Sequence, residues 1–270
     1  MGKNLLKYII IGLIVVVHII PFYILINLSF KGAGDVGSKW IPAQSLDFGN
    51  FMDVWREAGL GKAILNNVII TGIVLLLVIV IGSIAAYPLA RRRTRWNNFI
   101  YTVCISCLII PPLTILVPLY KLVVDLGGIN TYWAISLAQV TFALPMTIFL
   151  YTGFISGIPK ELDEAGVIDG CNQYSIFFRL IFPLVKPITA TIIILIGVQV
   201  WNDYQFSLFF LQQKSIQTVP VVLSMFISQF QSNINWVAAG CLIGMLPITV
   251  VYLFLQKFFI KGMADGAIKG

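Results

Sequence analysis

Six apolar runs of membrane-spanning length dominate this chain, at residues 8–30, 63–90, 99–120, 132–155, 188–211 and 236–259. A hydrocarbon layer roughly 30 Å thick is crossed by about 20 residues of helix, and backbone polar groups inside it must be paired within the segment. Each run therefore reads as a transmembrane helix, and the fold class that follows is all-α, a polytopic membrane protein with six spans. Residues 219–230 are also apolar, but about a dozen residues suit an interfacial or re-entrant piece, so they are not counted. Composition leaves no room for a soluble alternative: 59% of the chain is hydrophobic and 11% charged, against roughly 25% charged in an ordinary soluble domain. The first run is longer than the core of a secretory signal and no small-x-small cleavage site follows it, so it is expected to be retained.

Orientation follows from Lys and Arg, which resist translocation. With the amino terminus inside, 12 of the 18 basic residues fall on the cytoplasmic side, the cluster Arg91, Arg92, Arg93 and Arg95 among them. Both termini are therefore expected in the cytoplasm. The net charge of +7 then has a topological cause, and nucleic acid is not a partner, because no separate basic domain exists. The outer connections are too short for an independent enzyme or substrate-capturing domain.

Several features are read as structural. Cys104 and Cys107 form C-x-x-C inside an apolar run, without the strand and turn of a redox motif. Gly240 and Gly244 are spaced for close helix packing. Prolines within the runs, among them Pro111, Pro112 and Pro247, kink helices. His18 reads as a packing residue. The stretch Gly32 to Lys39 has the glycines of a phosphate loop, but ends Ser38-Lys39 in the wrong order and has no flanking strand. ATP is therefore not expected to bind this chain. No His, Cys, Asp or Glu cluster has metal-ligand or nucleophile spacing, so no metal site or catalytic residue is assigned.

The informative segment is the cytoplasmic loop at residues 156–187. Pro159 followed by Glu161, Asp163 and Glu164 suits the start of a helix, where acidic side chains complement the positive end of the dipole. Gly170 suits the left-handed position that ends it. A second helix start follows at Asn172, with an apolar run from Ile176 to Phe182 cut off by Pro183 and Pro187. The residues by themselves give an angled, partly apolar projection that can dock an unnamed partner.

This loop resembles the EAA motif of ABC-importer permease subunits: Glu164-Ala165-Gly166, then Gly170 after three residues, then Leu180-x-Phe182-Pro183 after nine more. Gly166, Leu180 and Phe182 are conservative departures from the strict pattern. The end of the chain, with Gly262, Gly266 and Lys269, and Trp201-Asn202-Asp203 in the fifth run resemble the second subunit of the maltose-type carbohydrate importers, and the likeness covers essentially the whole chain. It implies a type I ABC-importer permease fold, a single permease domain over residues 1–270 with the coupling loop at 156–187 and a tail at 257–270, in the bacterial cytoplasmic membrane. It also implies a non-catalytic half of a heterodimeric pathway for a sugar or oligosaccharide. The implied partners are a second permease subunit, two ATPase subunits that carry the ATP and Mg, and an extracytoplasmic solute-binding protein. ATPase coupling would fall to Glu164, Ala165, Gly166, Asp169, Gly170, Leu180 and Pro183, and a tail contact to Gly262, Gly266 and Lys269.

Glu164 on its residues alone supports the helix dipole. Asp203 is the one acidic residue in the assigned runs, where a carboxylate faces protein or a watery path. Either a hydrogen-bonded structural role or a pathway role fits it. Gln199 and Asn202 offer hydrogen bonds for a sugar, and Trp201 or Tyr204 a ring to stack on it. A permease for a non-sugar solute remains open, as does a secondary transporter, which would need more ionisable groups within the membrane than Asp203 and His18.

Overall fold

The computed structural model describes the backbone of residues 2–32, 34–35, 37–228 and 233–267 and the side chains of 6–32, 34–35, 37–226 and 233–258. In chain order its helices are α1 (Gly2–Phe30), α2 (Gly49–Glu57), α3 (Leu60–Arg91), α4 (Arg95–Ser106), α5 (Leu116–Asp125), α6 (Tyr132–Ser156), α7 (Glu161–Ile168), α8 (Gln173–Leu184), α9 (Lys186–Trp201), α10 (Gln205–Phe210), α11 (Val219–Ser228) and α12 (Ile234–Ala267). The architecture is all-helical, that of a polytopic membrane protein. Four helices among the described residues are long and apolar enough to cross a membrane: Leu6–Phe30, Leu60–Arg91, Tyr132–Ser156 and Ile234–Phe258.

The other two expected spans are not straight. The third run breaks near its middle, where Arg95–Ile109 and Pro112–Asp125 meet at 91°. Ile110 and Pro111 both take extended backbone there. A residue that precedes proline is pushed out of the helical region, and two prolines in a row leave two such positions. The fifth run differs in its bounds: α9 begins at Lys186, ends at Trp201, and meets α8 at 70°. Its 16 residues reach about 24 Å, short of a full hydrocarbon layer. Residues 202–204 then interrupt the helix before α10.

The chain forms two compact units, one of residues 1–65 and 217–246, the other of residues 66–216 and 247–270. In the first, α1 keeps its apolar surface exposed. The connection after it is held by side chains: Asn27 Nδ2 donates to the Lys39 and Ile41 carbonyls, both at 2.8 Å, and Asn27 Oδ1 accepts from Ala43 N–H. Lys31, almost wholly buried, pairs with Asp35 at 3.1 Å and donates to the Gly37 and Ser38 carbonyls. The core of this unit gathers Val54, Leu60, Val222, Leu223, Phe226 and Ala239. Gly240 and Gly244 face α11, where a Cβ on Gly244 would stand 2.7 Å from Val219 Cγ1 and one on Gly240 would overlap Leu223.

The second unit builds its core from α3, α6, α8, α9 and α10, with Val74, Val78, Tyr151, Ile155, Ile181, Ile192, Ile196 and Phe210 buried. Tyr151 lies fully inside, and its hydroxyl meets Thr189 Oγ1 at 2.9 Å.

Candidate functional site

The loop between α6 and α9 is a helical hairpin whose turn is fixed by backbone chemistry. Helix α7 carries Glu161, Asp163 and Glu164 in its first turn. At its other end Gly170 takes φ +77°, its N–H donates to the Val167 carbonyl at 3.0 Å, and Cys171 N–H reaches back to the Gly166 carbonyl at 2.9 Å. These are the two bonds of a Schellman stop, which glycine makes at low cost because it lacks a Cβ. Asn172 then starts α8, its side chain accepting from Ser175 N–H at 2.8 Å. The glycine stop and asparagine start stand where the sequence puts them.

Past its first turn α8 passes through a π turn at Ile176–Ile181, and Phe182 N–H bonds five residues back to Phe177. The helix ends at Leu184, one residue past Pro183 and ahead of Pro187. Pro183 lies in the last turn of α8, which directly follows the π turn.

The two loop helices pack through Gly166, which is buried, while Leu180 is half-buried. A Cβ on Gly166 would stand 2.9 Å from Leu180 Cδ1 and 3.0 Å from Ile176 Cγ1. Glu164, Ala165, Asp169, Gly170 and Pro183 are exposed. At the tip, Ile168 and Tyr174 are 85% and 79% exposed, and Val167 and Phe178 are open as well. So much apolar surface on one small projection marks a contact face.

Arg91 and Asp163, read in the sequence only for their charge, and Tyr87, which the sequence reading left out, fasten this hairpin to α3. Arg91 Nη2 pairs with Asp163 Oδ2 at 2.8 Å, with side chains only 9% and 18% exposed. Its Nη1 donates to the carbonyls of Ile155, at 3.1 Å, and Ile158, at 2.8 Å, where α6 runs out. Tyr87, one turn back on α3, donates its hydroxyl to Asp163 Oδ1 at 2.5 Å and rests its ring on Phe177 of α8. The spacing Tyr87-x-x-x-Arg91 sets both on one helix face. That pattern, at the end of an apolar run and opposite an acidic helix start, was the available signal. A cleft of about 440 Å³ opens beside these groups, lined by Ile84, Pro88, Val167, Tyr174 and Phe178 among others.

The residues proposed for the pathway are not gathered on one face. Trp201 is buried, and its carbonyl accepts from Asn67 Nδ2 at 2.7 Å. Gln199, Asn202 and Tyr204 are exposed, Asn202 turning its amide back to the Val198 carbonyl. Asp203 holds the start of α10: its Oδ2 accepts from Ser207 N–H at 2.9 Å and Ser207 Oγ at 2.8 Å. Trp201 also lines a cleft of about 160 Å³ with Val68, Thr71, Pro247 and Val251. In the tail, Gly262 and Gly266 continue α12, and Lys269 lies outside the described residues.

Comparison with known proteins identifies the family. Residues 78–265 match the family model described as binding-protein-dependent transport system inner membrane component. The melibiose/raffinose/stachyose import permease protein MelC of Bacillus subtilis is 50% identical over 254 residues, which cover 94% of this chain and 92% of that one. The multiple sugar-binding transport system permease protein MsmG of Streptococcus mutans is 30% identical, with 97% and 96% covered. A crystal structure of a bacterial ABC transporter involved in the import of the acidic polysaccharide alginate contains a chain of like fold, with a TM-score of 0.82, 19% identity, and 95% and 96% covered. The chain therefore belongs to the binding-protein-dependent transport system inner membrane components, the non-catalytic permease subunits of ABC importers.

Proposed function

We propose that this chain forms half of the translocation pathway for a sugar or oligosaccharide, of the kind named for its relative: melibiose, raffinose or stachyose. It acts as the second subunit of a maltose-type permease pair, a single permease domain in the cytoplasmic membrane. Each bent pair counts as one span, which makes six, and the basic residues favour both termini inside.

The observation that carries this reading is the tip of the loop at 156–187, where Ile168 and Tyr174 stand out of the chain beside the exposed Glu164. Such a projection suits a cleft on a separate ATPase subunit. Glu164, Ala165, Asp169 and Pro183 lie on its surface, and Gly166, Gly170 and Leu180 hold its shape. Closure of two ATPase subunits on ATP and Mg moves the loops. The permease halves then rock from inward-facing to outward-facing and receive the sugar from an extracytoplasmic binding protein. The tail at 257–270, with Gly262, Gly266 and Lys269, adds a second ATPase contact, and the exposed Gln199, Asn202 and Tyr204 are candidates for the pathway.

The test is purification of the tagged chain with its co-expressed partners, followed by uptake of labelled raffinose and melibiose into vesicles. We expect an assembled complex whose uptake requires ATP and binding protein. Glu164→Ala should lower ATPase association and uptake together. Transport by the chain alone would sink the importer reading, and an assembled complex that takes up no sugar would sink the substrate class.

A further inference from the structure

We propose that Arg91, Asp163 and Tyr87 form the linkage through which the loop moves the membrane helices. This deepens the coupling reading above and rests on it. Docking explains how the ATPase grips the tip of the hairpin, but it leaves open how a displacement of α7 reaches a helix long enough to span the bilayer.

The structure offers a definite route. A cleft of about 440 Å³ lies between the side chains of α3 and α7. What bridges them is polar: an ion pair between Arg91 and Asp163 at 2.8 Å and a hydrogen bond from the Tyr87 hydroxyl to Asp163. The Arg91 guanidinium uses one nitrogen for Asp163 of α7 and the other for the carbonyls of Ile155 and Ile158. One planar group thus ties α3, the end of α6 and the first loop helix together. Lysine offers a single ammonium and cannot reproduce that fork. Tyr87 completes the linkage by touching both loop helices, Asp163 through its hydroxyl and Phe177 through its ring.

The pairing is placed where water does not loosen it. Arg91 and Asp163 are both largely buried, and a charge pair out of water holds its geometry because breaking it strands a charge. A structural role alone would ask only that α7 be held somewhere near α3, and apolar packing would do that. A buried fork aimed at three elements instead makes α7, the end of α6 and the end of α3 move as one body. These three are positioning residues: they touch neither sugar nor ATP.

The experiment uses the whole complex in vesicles with binding protein present, and compares Asp163→Asn, Arg91→Lys and Tyr87→Phe with the unaltered chain. Three quantities are read: ATPase recovered with the permease, ATP hydrolysed, and sugar taken up per ATP. We expect recovery and hydrolysis to persist while sugar per ATP falls about tenfold in Asp163→Asn and Arg91→Lys, within the usual range of a coupling energy. Arg91→Lys with Asp163→Asn should cost little more than either alone, because the two act through one linkage. Tyr87→Phe keeps the ring and loses one hydroxyl, so it should fold and show a smaller fall.

Unchanged sugar per ATP in the assembled variants would overturn the proposal, and so would failure of all three, Tyr87→Phe included, to assemble, since the trio would then serve folding alone. Ile168→Asp separates this from the docking reading, because Ile168 lies at the tip and has no part in the linkage. Normal ATPase recovery with Ile168→Asp would sink the docking reading, whereas normal sugar per ATP in the linkage variants alone would sink only the linkage.

Discussion

Gly170 isolates the cost of backbone conformation, because it takes φ +77° with no neighbouring atom within 4 Å of where a Cβ would stand. Replacing it with alanine adds no clash with other groups, and the whole penalty is that of an L-residue held in the left-handed region, about 1–2 kcal/mol. That corresponds to roughly a 5- to 30-fold shift in the population of the closed turn. Asparagine, which tolerates this region better, should cost less, and valine, branched at Cβ, should cost more. Hydrogen exchange reads the effect directly. The amides of Gly170 and Cys171 donate the two bonds of the stop, to the Val167 and Gly166 carbonyls. Their exchange should quicken by that factor in Gly170→Ala, less in Gly170→Asn and more in Gly170→Val, while the core amides of α6 stay unchanged. With each rate divided by the intrinsic rate of the same amide, equal exchange in the alanine and asparagine variants, or faster exchange in asparagine, would refute the argument.

Two further predictions concern the first unit. The Lys31 hydrogen bond, helped by Gly37 N–H, holds the Asp35 carboxyl below its ordinary value of 3.8. A depressed carboxylate stabilises the fold above its unfolded pKa and loses that contribution as pH falls through the folded value. Protease resistance of the connection after α1 should thus be constant from neutral pH down to about 4 and fall below that, and Asp35→Asn should show the weakened state at neutral pH. In the packing of α11 on α12, Gly240→Leu forces a side chain into the space held by Leu223 and Val54. A loss of about 1–3 kcal/mol is expected from overpacking, measured as a lower melting temperature of the purified protein in detergent, and a temperature equal to that of the unaltered chain would contradict the packing.

How far the sequence could be read depended on how local each determinant is. Gly170 and Asn172 act on amides within a few residues of themselves, so composition and spacing locate them. The bend at Pro111 and Pro112 is equally local, and the sequence locates it as a kink without giving its angle of 91°. The partnership of Arg91 with Asp163 was not legible, because 72 positions of chain separate them. Arg91 took its meaning from the positive charges beside it rather than from a contact. Trp201 shows the same limit at shorter range. A polar and aromatic stretch at the end of an apolar run says that some side chains turn inward, but which ones depends on Asn67 of α3 reaching the Trp201 carbonyl. Asp203 was placed between two roles for the same reason, and its bonds to Ser207 give it a capping one.

The π turn at Ile176–Ile181 carries a consequence for how this loop varies in length. In a regular helix, removing one residue rotates everything beyond it by about 100° and would turn the buried face of the next helix outward. A π turn already holds an extra residue within its widened ring. A one-residue deletion there returns the segment to ordinary helix and leaves α9 facing as before. A one-residue deletion made within Ile176–Ile181 of this chain should therefore lower the melting temperature of the purified protein less than one made within α7.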